Sequence, residues 1–217
     1  MGAFAFLGDV LPEAAGRVVL TLTSNGFAWG AAALVAGYFV RAARRAPVVA
    51  TALLAVATAV YYGLVLVVSQ RWSWATLNDD SSGDVVWLLS VARAAGFWML
   101  IAVGAGPVLG RLGHAIRNGS RYRSSFAAGL AFGLLAAEGL FQLGRFRWPI
   151  LDDFVRVIVV SSAATVALSL IVTVILLMRR PACASWWAYL ASAVVAGGLS
   201  SMLWGLIDIF RSSGFRL

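Results

Sequence analysis

Residues 126–144 read FAAGLAFGLLAAEGLFQLG, an apolar run the length of a membrane crossing with one acid, Glu138, set inside it. A hydrocarbon core ~30 Å thick takes roughly 20 helical residues to cross. A charge at that depth is costly, so Glu138 marks a candidate working site. Five further apolar runs accompany this one, at 18–40, 48–69, 85–106, 154–178 and 186–210. The pattern predicts an all-α fold, a polytopic bundle of six transmembrane helices forming a single domain over 1–217. Residues 1–17 hold only a short apolar stretch before Asp9, Pro12 and Glu13. That stretch is too short to span and lacks the basic start of a signal peptide, so this segment is expected to lie at the interface.

The charged residues sort between the two ends of such a bundle. Arg41, Arg44, Arg45, Arg111, Arg117, Arg121, Arg123, Arg179 and Arg180 follow helices one, three and five, with no acid among them. Asp9, Glu13, Asp79, Asp80, Asp84, Asp152, Asp153 and Asp208 fall at the other end, mixed with seven arginines. Orientation follows basic residues in short loops and is nearly blind to acids, so both termini are expected outside the cytoplasm. The net charge of +8 then belongs to cytoplasmic loops against anionic lipid, and no nucleic-acid partner is implied. The connections 41–47 and 179–185 are short, so helices one and two, and helices five and six, are expected to form antiparallel hairpins.

Composition removes several chemistries. The chain contains no lysine, which excludes Schiff-base catalysis and a phosphate-loop lysine. A lone cysteine, Cys183, cannot form an intrachain disulfide. A lone histidine, His114, falls short of a metal cluster and reads as structural or lipid-facing. Neither a metal nor another cofactor is expected.

Arg93 is the second charge inside a predicted span. In a helix beginning near residue 85 it lies about 12 Å below the outer end, and Glu138 lies about 9 Å below the same surface on helix four. Equal depth on consecutive helices makes an Arg93–Glu138 ion pair the expected arrangement. Glu138, Phe141, Gln142 and Arg145 share a face of helix four, and Gly197, Ser201, Trp204, Gly205 and Asp208 make a second stripe on helix six. With Asn25 and Trp29 of helix one, Tyr61 and Tyr62 of helix two and Trp98 of helix three, they outline an outward-facing pocket of aromatics and acids. The same residues have a plainer reading. An Arg–Glu pair fixes helix register, and Trp72, Trp74, Trp148, Trp186 and Trp187 at predicted boundaries form an interfacial belt.

Helix one carries Ala28, Ala32 and Ala36 on one face and Gly26, Gly30 and Gly37 on another. Small faces allow close helix approach, either within the bundle or to a membrane-protein partner docking on the alanines. Gly106-Pro107 reads as the stop of helix three. Taken together, Ser24-Asn25-Gly26-Phe27-Ala28-Trp29, Val60-Tyr61-Tyr62-Gly63, Phe97-Trp98, Gly106-Pro107-Val108-Leu109-Gly110, Gly113-His114 and Ala137-Glu138-Gly139-Leu140 resemble a family of small, uncharacterised polytopic membrane proteins from actinobacteria. The resemblance covers roughly residues 20–145. It implies a six-helix fold in a bacterial plasma membrane and assigns no activity. The use of arginine in place of every lysine suits a high-GC genome.

Three functions fit these residues. The first is binding or transport of a small molecule, in outline like the substrate-capturing subunits of vitamin transporters, with Arg93, Glu138, Phe141, Gln142, Trp204 and Asp208 among the ligand contacts. The second is an intramembrane cyclase acting on isoprenoids, with Asp208 or Glu138 as the acid that protonates the substrate and aromatic faces steadying the cation. The third is an accessory subunit packed into a larger membrane complex. Orientation is directly testable: a reporter active only in the cytoplasm, fused after Leu217, is expected to be silent, and one active only outside the cytoplasm to be on.

Overall fold

Lipid offers no hydrogen-bond partner to a backbone, so apolar runs of this length satisfy their own amides and carbonyls as helices. The computed structural model describes residues 26–68, 82–145, 153–179 and 185–212. Among them it forms α1 (Gly26–Phe39), α2 (Arg45–Val68), α3 (Ser82–Asn118), α4 (Arg121–Arg145), α5 (Asp153–Met178) and α6 (Trp186–Ser212). Helices α2 to α6 contain stretches long and apolar enough to cross a membrane, and the 14 described residues of α1 form a shorter apolar helix. The chain is a multi-pass helical membrane protein. The expected interfacial segment 1–17, the start of helix one through Asn25, and Cys183 lie outside the described residues.

Pro107 does not stop the third helix, which runs on through Gly110 and Gly113 to Asn118. Proline removes an amide donor and crowds the carbonyl one turn back. In lipid no water replaces the lost bonds of a broken helix, so continuation wins.

The four most extensive helix contacts are α4 with α6, α2 with α3, α4 with α5 and α1 with α3. They divide the bundle into two consecutive three-helix groups, α1–α3 and α4–α6, joined across a seam between α3, α1 and α4. Glycine decides both. On α4, a Cβ at Gly133 would lie 2.5 Å from the Gly197 amide nitrogen and 2.6 Å from the Ala196 Cβ. One helical turn further on, the Ser201 hydroxyl donates to the Ala137 carbonyl, and the turn after that brings Phe141 against Gly205. Arg145 and Asp208 close the series with an ion pair. α4 and α6 therefore run parallel, one rung per turn. In the first group, a Cβ on Gly37 would overlap the Gly110 backbone, and one on Gly113 would overlap the Leu34 carbonyl.

The hairpin expectation holds for α1 and α2, which touch, and fails for α5 and α6, which scarcely meet along their length. Both instead pack on α4. Gly129 and Gly133 floor the face that receives α6, and Gly139, roughly 100° away around the helix, floors the face that receives Ser162 and Thr165 of α5. Where α5 and α6 approach, the Thr173 and Tyr189 hydroxyls share a hydrogen bond of 3.0 Å. Thr165, Ser169 and Thr173 each donate to the carbonyl four residues back, so these buried hydroxyls are satisfied within α5.

Among the described residues, core packing reaches the arginine-bearing end and stops short of the other. At the arginine end it includes Tyr38, Ala46, Ile116, Ser124, Leu177 and Tyr189. Toward the opposite end the last buried residues of the six helices are Gly30, Thr58, Ala102, Gly139, Ser162 and Ser200. Beyond them, every described side chain is exposed or half-buried.

Glycine substitutions test this account. Gly133→Ala is expected to destabilise the folded protein in detergent by about 1–3 kcal/mol through overpacking. Gly198→Ala, where a Cβ meets nothing within 4 Å, is expected to be neutral or to stabilise by up to about 1 kcal/mol. Equilibrium unfolding in micelles compares the two.

Candidate functional site

The loosely packed end gathers polar side chains from α4 and α6 against the first turn of α1. Glu138 is half-buried on α4 and points at the first turn of α1: a Cβ on Gly26 would lie 3.7 Å from Glu138 Oε2 and 4.0 Å from Trp204 Cζ2. Carboxylate, indole and glycine backbone thus converge from three helices across the seam. A Cβ at position 26 would make ordinary contact with both groups, so the start of α1 lies directly against the acid and the indole. Ser201, one turn before Trp204 and Gly205, holds α6 to the carbonyl of Ala137 beside Glu138. Gln142 is half-buried one turn beyond Glu138.

Arg145 and Asp208 sit at the rim. The guanidinium lies over the Phe141 ring, 5.7 Å from its centroid, and pairs with the Asp208 carboxylate. The side chains keep 62% and 44% of their exposure, so the pair ties the ends of α4 and α6 in a wet setting. The facing stripes were legible from spacing, and the structure adds the pairing of their last members, each of which ends its stripe at the same level.

The expected Arg93–Glu138 pair does not form. Arg93 is exposed, and helix geometry explains why. Ala102, Gly106, Leu109, Gly110, Gly113 and Ile116 are the buried residues of α3, and Arg93 lies about 100–180° around the helix from each of them. Helix length also bears on the depth of Arg93. α3 has 37 residues, about 55 Å, and cannot fit inside a ~30 Å core. Arg93 and Arg111 stand about 27 Å apart along the axis, so the apolar stretch 94–110 fills the core and both guanidiniums reach its edges. Glu138, about 10 Å along α4 from Arg145, keeps its place inside.

The remaining aromatics form a separate group. Trp29 packs on the core formed by Ala33, Ala50, Leu54, Ala102 and Leu109. Its ring meets Tyr61 edge-on at 6.4 Å, and Tyr61 meets Tyr62 edge-on at 5.2 Å. This strip belongs to the α1–α2 side, on a face of α1 about 100° from Gly30, which packs on Leu135 of α4. Trp98, 36% exposed, packs edge-on against Phe97 on the outer arm of α3. Asn25 lies outside the described residues. Ala28, Ala32 and Ala36 are half-buried, whereas Gly30, Ala33, Leu34 and Gly37 are turned into the bundle. Trp186 and Trp187 are exposed at the arginine end, as belt residues are.

His114 has a structural task. Its Nδ1 lies 3.0 Å from the Val40 carbonyl, while Arg117 donates to the carbonyls of Tyr38 and Phe39 and stacks on the Tyr38 ring. Together they cover the carbonyls left open at the end of α1. Among the described residues no group of three or more His, Cys, Asp or Glu could hold a metal ion.

No family model matches the chain, and no curated protein or solved structure matches it. The geometry alone defines a class: a helical membrane protein with an acid and an indole at the seam of two three-helix groups.

Double-mutant cycles separate the observed pair from the expected one. For Arg145→Ala with Asp208→Ala, exposure predicts a coupling below about 1 kcal/mol. For Arg93→Ala with Glu138→Ala, the effects on stability in detergent are expected to add.

Proposed function

We propose that the protein binds a small molecule at the loosely packed end of the seam, as a binding or transport component of a bacterial plasma membrane. The observation that supports this most is Glu138, an acid at membrane depth beside Gly26 of one helix group and Trp204 of its own. An intramembrane acid at the meeting of two helix groups is where a polar ligand gains most from a fixed charge and an aromatic wall. In transporters that work by rocking one group of helices against another, ligands bind at such a seam. The tight packing at the arginine end and the looser packing at the acidic end suit a site that opens at one end. With the arginine end cytoplasmic, that opening faces outward.

A cyclase is less well supported. Asp208, the acid that reading preferred, is part of an exposed ion pair with Arg145 instead of facing an apolar chamber. The half-buried alanine strip of α1 is the place where a membrane-protein partner that drives or accompanies transport would dock.

The test is a thermal-shift screen of the purified protein against amines, amino acids, vitamins and linear isoprenoids, with product analysis of the isoprenoid samples. A stabilising small molecule is expected whose affinity falls about tenfold or more in Glu138→Gln and Trp204→Ala, the size of one lost charge-assisted contact. Arg93→Gln is expected to bind it as the parent does. A stabilising ligand that ignores Glu138→Gln, or turnover of an isoprenoid, would reject the proposal.

A further inference from the structure

At Gly110 three helix backbones meet. A Cβ there would lie 2.5 Å from the Ala46 carbonyl oxygen of α2 and 2.8 Å from the Ala50 Cβ, while the Gly110 backbone itself takes up the space beside Gly37 of α1. The arginines next to this junction are Arg111 on α3, Arg45 at the start of α2, and Arg41 and Arg44 in the connection between α1 and α2; all four are exposed. The close backbone approach that glycine permits therefore brings four guanidiniums from three consecutive segments to one end of one helix group.

Among the described residues no acid lies at this end to cancel the charge. No Asp or Glu occurs between residues 14 and 78 or between 85 and 137. The open carbonyls ending α1, the natural negative pole at this end, are already covered by His114 and Arg117. Depth points to the partner. Phe39, 58% exposed, adjoins the patch, and Trp187, 84% exposed, starts the last helix at the same end of the bundle; exposed aromatics of this kind mark the level of lipid headgroups. Guanidinium groups bind phosphate oxygens in pairs of parallel hydrogen bonds, and at this level the phosphate on hand is that of the lipid.

We propose that the Gly110 junction is a headgroup site for anionic phospholipids, with Arg41, Arg44, Arg45 and Arg111 pairing with lipid phosphate. The site is independent of the ligand seam at the opposite end.

Native mass spectrometry of the purified protein in micelles doped with phosphatidylglycerol or phosphatidylcholine of equal chain length tests it. Phosphatidylglycerol is expected to be retained in preference, with excess inorganic phosphate failing to displace it. The preference is expected to fall about fivefold for each arginine removed in Arg45→Gln, Arg111→Gln and the double variant. Arg145→Gln, at the far end, is expected to retain it in full. The helical circular dichroism of each variant confirms its fold, and the exposed single substitutions serve if the double variant is lost. Equal retention of the two lipids by the parent protein would overturn the proposal, as would displacement by inorganic phosphate or an equal loss in Arg145→Gln.

Discussion

Backbone contact between helices at glycine is the constraint on which this bundle rests. Lipid chains are as apolar as leucine, so apolar burial drives helices together only weakly in a membrane, and close packing takes over. Gly37, Gly110 and Gly113 bring α1 onto α3, Gly129 and Gly133 bring α6 onto α4, and Gly139 brings α5 onto the other side of α4. Each contact is short enough to exclude a methyl group. Buried hydroxyls fit among them because Thr165, Ser169, Thr173, Ser192 and Ser200 bond to carbonyls of their own helices.

These contacts are distributed unevenly, and function follows from the unevenness. Toward the arginine end, backbones touch and side chains are buried. Toward the acidic end the last glycine contacts give way to larger groups, and the described residues keep half-exposed faces. Gly26 belongs to this second region, where an added Cβ would touch the Glu138 carboxylate and the Trp204 ring instead of meeting a backbone. The same residue type thus joins backbones at one end and lies against side chains at the other.

Helix length and membrane thickness settle the charges. Because α3 persists past Pro107, its hydrocarbon segment shifts toward Arg111 and carries Arg93 out to the edge. α4, bounded by Arg123 and Arg145, leaves Glu138 within. Arg145 and Asp208 then neutralise each other at the rim.

Much of the fold was legible in the sequence. Run length gave the helices, since lipid leaves an apolar segment no other structure, and the arginine distribution distinguished the two ends. The facing stripes of α4 and α6 followed from a repeat of 3.6 residues per turn. The resemblance of residues 20–145 to an actinobacterial family stays an expectation. Periodicity along one chain says nothing about which helix fills which groove. That α5 and α6 both pack on α4, that Arg93 faces away from Glu138, and that Gly26 and Trp204 flank the acid were decided only in three dimensions. Which pairs of helices form is a property of matching surfaces, and small differences in glycine placement choose between arrangements whose sequences read alike.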